Sequence, residues 1–173
     1  MSTRIALIFA VSTLALTACQ PSADTASKSA EGSAAQLASS EGVKMNCPAA
    51  DTAGVIEVAP GLTARIKKTG YGRAAVVGDY ADTNVWLWLY DETAEDNRGQ
   101  FIWESGDNVF QFKLGSGQVI KGWDLGVPCM IEGETRELII ASDLAYGASG
   151  SGEIPPNATL LFTIELVKLT ASN

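Results

Sequence analysis

An α+β domain, a twisted antiparallel sheet covered by one short helix, is what this sequence predicts. Three observations carry that expectation. Beyond Val43 the apolar residues recur mainly at every second position, with Gly, Asn and Asp between the runs. One stretch alone departs from that rhythm and places apolar residues at helical spacing. The 173 residues, 46% apolar and 18% charged, also suffice for one modest core and something shorter.

The first segment, "MSTRIALIFAVSTLALTAC", has a single Arg4 followed by an apolar run from Ile5 to about Leu16. That run is too short to span a bilayer and has the proportions of a secretory signal. It ends in Leu16-Thr17-Ala18-Cys19, which resembles a bacterial lipobox, so residues 1–18 are expected to be removed and Cys19 to become the lipid-carrying N-terminus. Residues 19–42 are rich in Ser and Ala, lack aromatics, and cannot bury enough apolar surface to offset their ordering entropy. They read as a tether reaching a few nanometres. The expected location is the bacterial cell envelope, with the protein lipid-anchored at the outer membrane and facing the periplasm.

The folded domain is expected over 43–173. Its strands read as "LTARIKK" (62–68), "VWLWLY" (85–90), "VFQFKL" (109–114), "TRELIIA" (135–141) and "ATLLFTIELVKL" (158–169). The last is the clearest, with Leu160, Phe162, Ile164 and Leu166 on one face and Thr163, Glu165 and Val167 on the other. Between the third and fourth, Ile120, Trp123 and Val127 fall at i, i+3 and i+7, a one-sided stripe for a short helix that Pro128 would end. With Cys19 acylated, Cys47 and Cys129 remain. A disulfide and a buried free thiol at Cys129 fit the sequence equally, because bridging demands a narrow Cα separation that sequence does not supply.

The formal net charge of −8 speaks against nucleic acid as a partner, and against surface charge as the means of holding an anionic membrane. The chain has no histidine, which removes the commonest general base, His-activated nucleophiles and most zinc sites. No metal and no cofactor is expected. "NAT" at 157–159 reads as a turn, "DETAED" at 91–96 lacks calcium-ligand spacing, and "GSGQVIKG" lacks the ending of a phosphate loop.

"FQFKLGSGQVIKGWDLGV" (110–127) and "YGASGSGEIPPNATLLFTIELVKL" (146–169) together resemble the C-terminal half of FKBP-type peptidyl-prolyl isomerases in order and spacing. The resemblance covers about Gly61 to Leu169. It implies a five-stranded antiparallel sheet curled around one short helix, with an apolar pocket between them that takes proline-containing polypeptides and macrolide inhibitors. It further implies that Trp123 floors the pocket, that Phe101, Phe110, Val119, Ile120, Ile154 and Phe162 line it, and that the Tyr146 hydroxyl bonds a ligand carbonyl. Of these, Trp123, Tyr146, Phe101 and Phe162 are the expected catalytic positions. Val85 stands where the family carries a pocket tyrosine and Ile102 where it carries an aspartate, so a weakened isomerase is expected. The alternatives are a peptide-binding or chaperone module without turnover, and a scaffold whose groove Trp86 and Trp103 have filled.

Overall fold

The computed structural model describes residues 47–172. The expected signal segment, Cys19 and the tether lie outside the described residues. Strands β1 (Val55–Ala59), β2 (Leu62–Lys68), β3 (Tyr80–Tyr90), β4 (Arg98–Glu104), β5 (Phe110–Lys113), β6 (Thr135–Ile140) and β7 (Leu160–Thr170) form one sheet, with one α-helix among the described residues, α1 (Lys121–Gly126). All pairings are antiparallel, in the order β1-β2-β6-β7-β3-β4, with β5 pairing β3 beside β4.

The α+β architecture is therefore as expected, but the sheet has seven strands rather than five. The two additions are β1 and β4, which lie at its two edges. An edge strand is partly relieved of burial, so its apolar alternation weakens. In β4 the pattern is further broken by an extra residue, described below. The long β7 lies at the centre, between β6 and β3, and its Leu160, Phe162, Ile164 and Leu166 are buried in the core. The core also takes Leu62 and Ala64 from β2, Val85 and Leu87 from β3, Phe112 from β5, and Leu138 and Ile140 from β6.

Helix α1 lies unusually close to β6. Its two glycines, one turn apart, face that strand: a Cβ on Gly122 would stand 2.5 Å from Ile140 Cγ2, and one on Gly126 would stand 2.9 Å from Leu138 Cδ1. Both ends of the helix are then fixed by side chains. Ahead of it, the N–H groups of Gly115 and Gly117 donate to the two carboxylate oxygens of Asp124 at 3.0 and 2.9 Å, binding the preceding turn to the helix. At its end, Arg136 Nη1 donates to the Gly126 carbonyl at 3.0 Å, a cation where the helix dipole is negative. Arg136 and its partner Glu134, which accepts from Arg136 Nε and from the Ile131 N–H, are both buried.

Cys47 and Cys129 form a disulfide, with Cα atoms 5.6 Å apart. It joins the first described residue to the segment just after α1, deciding between the two readings of these thiols.

Candidate functional site

Trp123 is carried into the core by α1, and the indole is only 4% exposed. Three phenylalanine rings fence it: Phe162 at 5.2 Å and Phe110 at 5.7 Å, both nearly perpendicular, and Phe112 at 5.3 Å. Each such pair adds about 0.5–1.5 kcal/mol beyond area burial, so the ring has little freedom to tilt. The indole Nε1–H is buried without a hydrogen-bond acceptor among the described residues.

Above this floor opens a cleft of about 580 Å³, lined by Leu87, Ile102, Trp103, Phe110, Gln118, Val119, Ile120, Trp123, Tyr146, Ile154 and Phe162. That volume is within the range of small-ligand sites and ample for a prolyl ring. Eight of the ten expected protein-binding positions surround it: Trp123, Tyr146, Phe162, Phe110, Val119, Ile120, Ile154 and Ile102. Val119 and Ile120 come from the turn clamped by Asp124. Tyr146 and Ile154 come from the loop between β6 and β7, where Ser151 and Ile154 exchange backbone hydrogen bonds of 3.0 and 2.9 Å. Gly150 in that loop has φ +64°, and a Cβ there would meet the Ile154 carbonyl oxygen at 2.3 Å, so glycine alone lets the loop fold back.

Phe101 and Val85 do not line the cleft. Across β3 and β4, Leu87 pairs with Trp103 and the next residue, Trp88, pairs with Phe101, so Ile102 is an extra residue, a β-bulge. The bulge brings both Ile102 and Trp103 to the cleft and sends Phe101 to the other face, where it lies edge-on to Trp88 at 5.9 Å and is 48% exposed. Val85 lies two residues further along β3, fully buried against Ile164, with its N–H and carbonyl both bonded to Ser105. Leu87, the register partner of Phe162, takes the place on the wall that Val85 was expected to hold.

The remaining members of the wall, Leu87, Trp103 and Gln118, were not foreseen as site residues. Alternation along β3 puts Leu87 on the same face as Val85, but alternation gives a face and not a depth. Trp103 is 43% exposed and stands at the cleft without filling it, and Trp86 is absent from its lining. The filled-groove reading is thereby overturned. Neither Glu104 nor Asp107 reaches the lining, so among the described residues no carboxylate faces the interior. The Asp91 carboxyl, in the turn after β3 and away from the cleft, is held below its ordinary value chiefly by the Thr93 hydroxyl.

What this arrangement can do is bind an apolar ring against an aromatic floor, orient a carbonyl through one phenol, and exclude water. It offers no nucleophile-and-base pair. Those are the requirements of a cleft that twists amide bonds at proline. Residues 71–167 match the model of the FKBP-type peptidyl-prolyl cis-trans isomerase family, and the chain belongs to that family.

Among its relatives, FK506-binding protein 1 of Dictyostelium discoideum is 45% identical over 111 residues, 62% of this chain and 96% of that protein. The FK506-binding protein of Neisseria meningitidis serogroup B is 40% identical over 110 residues, 63% of this chain and 96% of that protein. Among solved structures, the peptidyl-prolyl cis-trans isomerase of Pseudomonas syringae pv. tomato superposes with a TM-score of 0.58 at 31% identity, covering 68% of this chain and 81% of that one. FkpA of Escherichia coli gives 0.59 at 30% identity, covering 69% of this chain and 53% of that one.

Proposed function

We propose that this protein isomerises X-Pro bonds in exported polypeptides, held at the bacterial envelope by a lipid on Cys19, and that it does so more slowly than family members whose pocket keeps its tyrosine and aspartate. The observation that carries the catalytic reading is the open, aromatic-floored cleft beside Trp123. Rotation about a prolyl amide must break its resonance, a barrier of about 18–20 kcal/mol for peptide bonds. The twisted amide is less dipolar than the planar one, so a dry apolar site favours it relative to the bound ground state. Phe110, Trp123 and Phe162 supply that surrounding, and Tyr146 orients the carbonyl before the proline. No step needs a proton carrier.

Slower turnover follows from the wall. Leu87, Ile102 and Trp103 are all unable to accept a hydrogen bond, which leaves Tyr146 and Gln118 as the polar side chains of the lining. Each missing orienting bond is worth roughly tenfold, about 1.4 kcal/mol of transition-state stabilisation. The export reading is supported by the disulfide, since such bridges persist in oxidising compartments. Macrolide ligands of the kind that give the FK506-binding relatives their names would occupy the same cleft.

The test is exchange NMR on a tetrapeptide with leucine before proline. Catalysis above the uncatalysed rate, reduced about tenfold by Tyr146→Phe, is expected. A chain that leaves the exchange rate at background while still quenching its tryptophan fluorescence on titration with FK506 is a binding module and not an isomerase.

A further inference from the structure

We propose that the free edge of β4 takes the residues flanking the target proline as an added β-strand, so that the favoured substrate is an extended stretch of unfolded chain and not the X-Pro pair alone. This rests on the isomerase reading above and names its substrate class. Among the described residues, strand β4 ends the sheet and is paired on one side only, with β3. β5 joins β3 further along, at Tyr80–Thr83, and does not cover it. Gln100, Phe101, Trp103 and Glu104 are all exposed along it. Its sequence, Arg-Gly-Gln-Phe-Ile-Trp-Glu, has neither the lysine nor the proline that commonly guards an open edge.

Position makes this edge more than an unpaired strand. Ile102 and Trp103 of β4 are themselves cleft wall, so edge and cleft are continuous. Of the other strands paired on one side only, β1 contributes nothing to the lining and β5 contributes Phe110 alone. The bulge at Ile102 turns side chains into the cleft but leaves Trp103 and Glu104 in regular register with Leu87 and Trp86, keeping a usable stretch of strand beside the opening. The occupant follows from substrate chemistry. A residue preceding proline is sterically driven into extended conformations, so the chain entering the cleft is already shaped for strand addition. Main-chain bonds to an edge accept any sequence, and Phe101 and Trp103, exposed at 48% and 43%, offer apolar contacts beside it.

The experiment uses the whole chain and changes only the substrate. Values of kcat/KM are measured by exchange NMR for the leucine-proline tetrapeptide, for a decapeptide with the same centre, and for decapeptides N-methylated at successive flanking residues. The decapeptide should be at least tenfold better than the tetrapeptide. N-methylation should abolish that gain at every second position and leave it intact between, because an antiparallel neighbour uses alternate N–H groups. No gain with length, or a gain that survives methylation everywhere, overturns the proposal. If neither peptide is turned over, it is the isomerase reading that fails. The same alternation, or its absence, in peptide affinity by tryptophan fluorescence then decides strand addition.

Discussion

Replacing Gly122 by alanine puts the placement of the cleft floor to a direct test. The new methyl would lie 2.5 Å from Ile140 Cγ2, 2.8 Å from its Cδ1 and 3.2 Å from its Cγ1. Ordinary carbon contacts are about 3.5–4.0 Å, so α1 and β6 must separate by about 1 Å. Overpacking of this kind costs about 1–3 kcal/mol, while the better helix propensity of alanine returns about 0.8–1.0 kcal/mol. The net loss is roughly 0–2 kcal/mol, a fall in Tm of up to roughly 8 °C for a domain of this size. Because Trp123 is the next residue, the floor moves with the helix, and a misplacement of about 1 Å can cost up to roughly 100-fold in rate. Gly126→Ala is the milder comparison: the atoms nearest its methyl are Leu138 Cδ1, Cδ2 and Cγ, at 2.9, 3.0 and 3.5 Å, and it lies a turn away from Trp123. Thermal melts and exchange NMR on both variants decide the matter. If Gly122→Ala melts and turns over as the parent does, or melts lower with unchanged kcat/KM, close helix packing does not set the position of the floor.

Three further outcomes are expected. Reducing the Cys47–Cys129 bridge opens a loop of 82 residues, worth about 4.5 kcal/mol by loop-closure entropy, so guanidinium midpoints with and without dithiothreitol should differ widely; a change below about 1 kcal/mol contradicts this. Arg136→Leu alone strands the buried Glu134 carboxylate and should cost about 3–5 kcal/mol in urea unfolding, whereas adding Glu134→Leu to it should recover most of the loss; equal losses in single and double variants refute the pairing. Isomerase activity should stay level from about pH 5 to 8, the range in which histidine alone ordinarily titrates, because the chain has no histidine and no carboxylate lines the cleft; a bell-shaped profile would expose a proton carrier.

The legible parts of this fold are those where burial is one-sided and regular. In β7 Leu160, Phe162, Ile164 and Leu166 alternate onto the core face, even though Leu161 and Thr163 between them are buried too and the register slips at Val167, and the α1 stripe of Ile120, Trp123 and Val127 stands out because nothing near it shares its period. The start of β3 was hidden even though its burial alternates, because its side chains are small or polar. Tyr80-Ala81-Asp82-Thr83-Asn84 is poor strand sequence, held extended by partners on both sides, β7 and β5. The site divides along the same line. Positions on α1, on β7 and in the loops flanking them were marked by the resemblance, whose motifs keep their spacing there, and the helical stripe independently turned Trp123 inward. The wall built by β3 and β4 was not, since a single inserted residue at Ile102 reverses which neighbours face inward, and no local composition marks the insertion.

The strand latest in the chain is also the one in the middle. Without β7, β6 and β3 have no common neighbour, and the ring of Phe162 is missing from the cleft wall. A polypeptide delivered N-terminus first, from a ribosome or through a narrow pore, therefore cannot close this sheet until β7 has emerged. Up to that moment the sheet stays in two pieces and the cleft lacks a wall, so the long-range pairings that define the fold all wait on one strand.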